Sequence, residues 1–384
     1  MNNEGRVTSE TLREFWGLPP DDGEPSTLDR EFHLYLHEKY PHAGSSGRGA
    51  LVRTYYAVKP VVPRGVQIWA RQKFARKRAQ TSFPSWPVES RCWDIADRWL
   101  QKETRAAGGE IAALEFWPEG RKCALVLTHD VELQSGFDAI KTITDIEEGL
   151  GLRSSWNIVP QRYRIDPSVI RHLWDRGHEV GVHGLKHDGK LFSSRRMFED
   201  RLTAIHRYAE EWGAKGFRSP STYRNMEWMQ TMEFDYDASF YDTDPYEPQG
   251  GGCCHVFPYR LGRFIELPYT LPQDHTLLQV LKVDALEVWL RKAEWIRSVG
   301  GMILMITHPD YLNTVFRRRV YEAFLREVSG WGGVWHALPM EVARWWRNRL
   351  ASHAIRDSAG AVRVVGPDLR ARGRLFSGRS EASH

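Results

Sequence analysis

The run Cys123-Ala124-Leu125-Val126-Leu127-Thr128-His129-Asp130-Val131-Glu132 decides the reading of the fold. Five apolar residues of strand length give way to a hydroxyl, an imidazole and two carboxylates. A strand covered on both faces reads as a continuous apolar run, as in a parallel sheet. Outward from this run the same pattern recurs. Ser154–Val159, Glu179–His183, Gly216–Pro220, Phe264–Tyr269, Met302–Thr307 and Val334–Leu338 are strand-length segments. Helical stretches follow them, near Gly136–Leu150, from Pro167, and over Ser194–Trp212, Asn225–Met232, Ala285–Val299, Val315–Val328 and Glu341–Leu350. Pro167 suits a first helical turn, where its missing N–H has no partner to lose. About seven or eight βα units in sequence predict an α/β fold with a parallel sheet, closed as a barrel or open and doubly wound. No Gly-rich phosphate loop interrupts them, which weighs against nucleotide binding.

The 384 residues divide into three zones: an irregular extension over 1–118, partly helical and basic; the βα region over 119–350; and a short hairpin with a flexible tail over 351–384. The hairpin is expected at Val362–Val365, after the Ser358-Ala359-Gly360 turn. With 53 basic and 49 acidic side chains the net charge is +4, so no nucleic-acid partner is expected. Charge is local instead: residues 51–80 carry eight Lys or Arg and no acid, with Val66, Trp69, Ala70 and Phe74 at helical spacing. Such a stretch packs on its own protein or lies on an anionic membrane surface. The first ten residues lack the apolar core of a secretory signal, and Cys92, Cys123, Cys253 and Cys254 show no C-x-x-C spacing. A cytoplasmic protein with reduced thiols, peripheral at the membrane if residues 51–80 bind there, is the expectation. The 16 tryptophans suit either sugar stacking or a large core.

Four strand ends carry chemistry: Thr128-His129-Asp130-Val131-Glu132, His183 to His187, Arg218-Ser219-Pro220 and Thr307-His308-Pro309-Asp310. In a βα barrel the C-terminal strand ends share the face that holds the active site. The His183-x-x-x-His187 spacing lets two imidazoles meet one ion, although structural loops also carry it. Asp130 and Glu132 project to one side if the strand is still extended there. Two such carboxylates ionise together only beside a cation, which a bound metal and Arg218 would supply.

In order and spacing these segments resemble the NodB-homology polysaccharide deacetylases, carbohydrate esterase family four, over about residues 121–349. The family's T-F-D-D-like, H-[ST]-x-x-H, R-x-P and L-x-H motifs match Thr128-His129-Asp130, His183–His187, Arg218-Ser219-Pro220 and Ile306-Thr307-His308. The T-H-D-V-E opening, with Glu266-Leu267-Pro268 and Gln273-Asp274, is similar to a bacterial subgroup tied to surface polysaccharides. The resemblance implies a distorted (β/α)7-8 barrel of the NodB type with an irregular N-terminal extension. It implies a hydrolase of carbon–nitrogen bonds other than peptide bonds, removing N-acetyl groups from a sugar, glycan or lipid-linked saccharide. Asp130 matches the general base, His308 the general acid and Arg218 the base-orienting arginine. His183 and His187 match the metal-binding histidines, and Ser221 the residue whose backbone N–H helps hold the oxyanion. The cofactor implied is a divalent metal, zinc foremost. Val131 stands where the family has a second, metal-binding aspartate, and Glu132 is expected to replace it. Gly184 stands for the Ser or Thr of the second motif. Asp237 and Asp242 are candidates for a fourth motif within the acidic loop Asp235–Asp244. Two other readings stay open: a metal-free hydrolase of cyclic or linear amides, and a non-catalytic glycan-binding or assembly protein.

Overall fold

The computed structural model describes residues 7–40, 83–247, 251–368 and 370–377. Its centre is the strand read first. Strand β2 (Cys123–Val131) is buried along its whole length, as is β9 (Met302–Thr307), which pairs with it in parallel from Ala124↔Met302 to His129↔Thr307. On its other edge β2 pairs with β10 (Val334–His336) near its start and with β3 (Ser155–Ile158) near its end. From β3 the parallel sheet continues through β4 (Glu179–His183), β5 (Gly216–Arg218), β6 (Tyr236–Asp237) and β8 (Phe264–Glu266). Strand β7 (Tyr259–Leu261) closes the far edge antiparallel to β8. Past β8 the chain swings back toward β9: the N–H groups of Thr270 and Leu271 both donate to the Leu304 carbonyl, at 3.0 and 3.2 Å. The sheet is therefore a curled, nearly closed α/β barrel. Its β2, β4, β5 and β9 all bring their C-terminal ends to one rim, because all four run parallel.

The helices begin where their sequences cap them. Asp166 accepts from the Ser168 N–H ahead of Pro167, Ser194 from Met197, Asp284 from Glu287, and Thr314 from Arg317. Each such cap satisfies an N–H that the first helical turn leaves open, worth about 1 kcal/mol. The predicted helix at 136–150 is broken into Gln134–Asp138 and Ile140–Glu148, and the one after β5 contracts to Met226–Met229.

The N-terminal extension contributes to the same core. Leu12–Trp16 forms a short helix with a Thr11 and Glu14 capping box, and Phe15 packs 5.1 Å from the Phe116 ring and 5.2 Å from that of Phe257. Helix Arg91–Ala106 runs on into β1 (Glu110–Leu114). The basic stretch 51–80 lies outside the described residues. At the C-terminus the hairpin forms from β11 (His353–Arg356) and β12 (Val362–Val365). Within the segment read as a flexible tail, Gly373–Ser377 is a strand, β13, paired antiparallel with β1 over all five residues. An unpaired edge of β1 offers N–H and C=O groups that such a segment satisfies, whatever its polarity. Trp16, Trp117, Trp156, Trp289, Trp345 and Trp346 are fully buried, so much of the tryptophan content is core. All four cysteines are free and buried, and no helix of the described residues is long and apolar enough to cross a membrane.

Candidate active site

At the rim, alternation along β2 sorts its side chains. Asp130 faces the cluster described next, and His129 and Val131 turn to the other side. His129 stacks on Trp156 with ring centroids 4.1 Å apart, and its nitrogens lie 2.7 Å from Thr307 Oγ1 and 2.6 Å from Glu147 Oε1. This buried pair joins β2 to β9 behind the site. Val131, fully buried, belongs to the core.

The Asp130 carboxylate is held by two donors on one oxygen. Arg218 Nη1 and Asn157 Nδ2 each lie 2.9 Å from its Oδ1. Both partners are set by register, since Asn157 stands opposite Asp130 on β3 and Arg218 opposite His183 between β4 and β5. Arg218 is fully buried and is fixed further by the Ala238 carbonyl at 2.7 Å and Thr128 Oγ1 at 2.9 Å. Burial works to raise the Asp130 pKa. The Arg218 guanidinium outweighs it, helped by His183, His308 and Asn157, and leaves the carboxyl below its ordinary range.

His183 ends β4. Its Nδ1 lies 3.0 Å from the Arg218 carbonyl, which can only accept, so Nδ1 carries the hydrogen. Its Nε2 then presents a bare lone pair, buried with no hydrogen-bond partner among the described residues and 3.7 Å from Asp130 Oδ2. Burial lowers the His183 pKa to about 4, so the ring is neutral near pH 7. Gly184 follows in the left-handed region at φ 61°, and a Cβ there would meet Pro220 at 2.5 Å. The loop that turns His187 back toward His183, with ring centroids 5.1 Å apart, therefore packs on the Arg218-Ser219-Pro220 loop.

Glu132 joins from just past the end of β2. Its Oε1 lies 2.9 Å from His187 Nε2, yet that nitrogen is not aligned for a hydrogen bond. Glu132, His183 and His187 place one ligand atom each within 4.8 Å of one another. Burial works to raise the Glu132 pKa; His187, His308 and His183 overcome it and set it well below the usual value. Three ligand atoms converging, one a buried nitrogen with no partner, fit a cation between them. Val131 points into the core, and Glu132, one residue on, is the carboxylate that meets the two histidines.

His308 stands 3.8 Å from Glu132 Oε1 through Nε2. Its Nδ1 lies 2.7 Å from Asp274 Oδ1, and its backbone N–H donates to Asp274 Oδ2 at 2.9 Å. Burial would lower the His308 pKa, but Asp274, then Glu132 and Asp130, raise it to about 10. Asp274 was not foreseen as a partner of His308. The fourth-motif candidates Asp237 and Asp242 have other partners: Asp242 is buried 2.7 Å from Lys292 Nζ, and Asp237 accepts from Ser239 beside Glu266. The loop containing them is not solvated, since Asp237, Asp242 and Asp244 are all buried.

Of the residues singled out, Asp130, Glu132, His183, His187, Arg218 and His308 come together. Ser221 does not join them by a hydrogen bond among the described residues. It lies on the Pro220–Thr222 turn directly after Arg218, at φ 55°.

No family model matches the chain, and no curated protein matches it. Solved structures do. A protein described as a polysaccharide deacetylase from Pseudomonas aeruginosa PAO1 superposes with a TM-score of 0.50 at 17% identity, covering 60% of this chain and 93% of that one. Another described in the same words, from Mycobacterium smegmatis, gives 0.49 at 20% identity over 60% and 92%. About three fifths of this chain thus spans nearly all of each of those proteins, and the curled α/β barrel is the fold it shares with the Pseudomonas aeruginosa protein.

Proposed function

We propose that the protein is a metal-assisted amide hydrolase that removes an acetyl group from an N-acetylated sugar or glycan. The observation that carries this reading is the convergence of Asp130, held by Arg218 and Asn157, and His308, held by Asp274, on the Glu132, His183 and His187 ligand set, with electrostatics that favour an ionised Asp130 and a protonated His308. Amide hydrolysis needs both. Water must lose a proton to attack the carbonyl, and nitrogen must gain one to depart, because an amide anion is a very poor leaving group.

Glu132, His183 and His187 would hold the cation. Two imidazoles and one carboxylate are a recurrent catalytic zinc set with a position left open, so zinc is the proposed ion. Bound there, a divalent ion supplies Lewis acidity toward the substrate carbonyl and acidifies water. The chain supplies the proton transfers. Asp130, oriented by Arg218 and Asn157, takes the proton from the attacking water. His308, held protonated by Asp274, gives one to the nitrogen as the C–N bond breaks, and acetate and amine result. We assign the Ser221 backbone N–H to the carbonyl oxygen, on the matching position in the Arg218 loop. The basic stretch 51–80 is proposed to set a membrane-proximal location for a lipid-linked or surface glycan.

The test is release of acetate from a panel of N-acetylated glycans, before and after chelation and on readdition of zinc. Activity lost to the chelator and restored by the metal is expected. Full activity of metal-free protein, or binding of glycan without any acetate, would replace this reading with one of its rivals.

A further inference from the structure

Glu132 occupies an unusual place for a ligand. Strand β2 ends at Val131, so the sheet ladder that fixes Asp130 and His183 does not reach it. A side chain on a loop needs some other support to be held within the fraction of an ångström that coordination demands. That support is visible in one residue. Asp310, two positions beyond His308 and nearly buried, accepts four hydrogen bonds from the segment that carries Glu132. Its Oδ2 accepts from the N–H groups of Glu132 at 3.0 Å and Leu133 at 3.2 Å. Its Oδ1 accepts from Ser135 Oγ at 2.7 Å and the Gly136 N–H at 2.8 Å. Three backbone N–H groups and one hydroxyl at the entry to helix Gln134–Asp138 are thus gathered on a charged acceptor.

The site next to this clamp has been shaped for it. A Cβ at Gly136 would lie 2.5 Å from Asp310 Oδ2 and 2.7 Å from its Cγ, so only glycine lets the carboxylate sit over the turn. Asp310 is itself fixed by a turn in which the Tyr311 and Leu312 N–H groups donate to the His308 carbonyl, at 2.8 and 3.2 Å. One carboxylate thus ties the loop after β9, bearing His308, to the loop after β2, bearing Glu132.

We propose that Asp310 is the positioning residue for the metal ligand Glu132, the device that lets a carboxylate one residue past the strand serve in a position the sheet no longer defines. The inference rests on the proposed metal site. Asp310 touches neither the ion nor the substrate, and acts through the backbone of Glu132.

Asp310→Asn keeps the volume but puts an amide N–H₂ against N–H donors, and Gly136→Ala leaves the carboxylate in place chemically while displacing it. Both are tested with wild type by Zn²⁺ titration calorimetry and by the visible absorption of Co²⁺, with circular dichroism confirming the fold. Expected is a loss of metal affinity of roughly tenfold to a hundredfold in each variant, with a changed Co²⁺ spectrum. Ser135→Ala, which removes one peripheral donor to the same carboxylate, is expected to change affinity less than either. Folded variants that bind metal with wild-type affinity and an unchanged spectrum overturn the role of Asp310 and leave the metal site standing. Wild-type protein that binds neither ion overturns both.

Discussion

Two pairs of carboxylates in this barrel, each an Asp and a Glu, have opposite electrostatics. At the strand ends Asp130 and Glu132 face Arg218, His183, His187 and His308, and burial is outweighed so that both stay ionised. On the neighbouring β6 and β8, Asp237 and Glu266 stand paired across the sheet, and there Arg218 and Arg224 do not outweigh burial. There burial, and for Glu266 its neighbour Asp237, pushes both carboxyls up, Glu266 well above the ordinary range. A desolvated acid keeps its charge only where a partner makes up for lost hydration. The difference separates the two groups electrostatically: an acid whose charged form is favoured is suited to accept a proton from water, and one whose neutral form is favoured is less so.

The largest effect should come from removing the ionised base or the protonated acid. Asp130→Asn keeps the shape and the Arg218 contact but not the proton affinity, and His308→Ala deletes the donor. Each should lower acetate release by about 10²- to 10⁴-fold with the circular dichroism spectrum unchanged. Near wild-type turnover in either one would move Asp130 and its partners into the same structural class as Asp237 and Glu266.

Next in size is the device that keeps His308 charged. Asp274→Asn removes the main source of the rise to about 10. As the pKa falls toward the ordinary 6.5, roughly thirtyfold less of the acid form remains at pH 8. The alkaline limb of the pH–rate profile should therefore shift down by units while the acidic limb, set by Asp130, stays in place. An alkaline limb that does not move would show that the acid is held by something other than Asp274.

The contrast between the two groups was only half legible in the sequence. Parallel strands covered on both sides read as apolar runs, and their ends announce themselves by the abrupt change to Asp130, His183, Arg218 and His308. Alternation along β2 was enough to pair Glu132 with Asp130 and to set Val131 aside. Asp274 was hidden because it meets His308 across 34 residues through a loop swung onto β9 by Thr270 and Leu271, and nothing local encodes that. Strands β6 and β7 have two and three residues, too few to show a period, so the acids around Asp237 read only as an acidic loop. Strand β13 was missed for a related reason: its pairing answers the open edge of β1, more than 250 residues away, and its own Gly, Arg and Ser say little.

The smallest effect is also the one that separates the two groups most directly, because its sign differs between them. Glu266 has a raised folded-state pKa, so the native state favours its protonated form. That preference stabilises fully below the unfolded value near 4.5 and is lost as pH rises toward the folded value. An amide copies the protonated carboxyl, so Glu266→Gln should cost little at pH 4 and gain on wild type as pH rises, by a few degrees of Tm at most. Glu132 has a depressed folded-state pKa, and its contribution is present above about 4.5 and lost on acidification through the folded value. Glu132→Gln, measured metal-free, should therefore lose ground against wild type over the same rise in pH. Thermal unfolding of both variants beside wild type at pH 4, 6 and 8 gives two slopes of opposite sign if the electrostatics are as described. Parallel slopes would mean that a single burial effect governs all these acids, and that the histidines and Arg218 do not hold the charge at the strand ends.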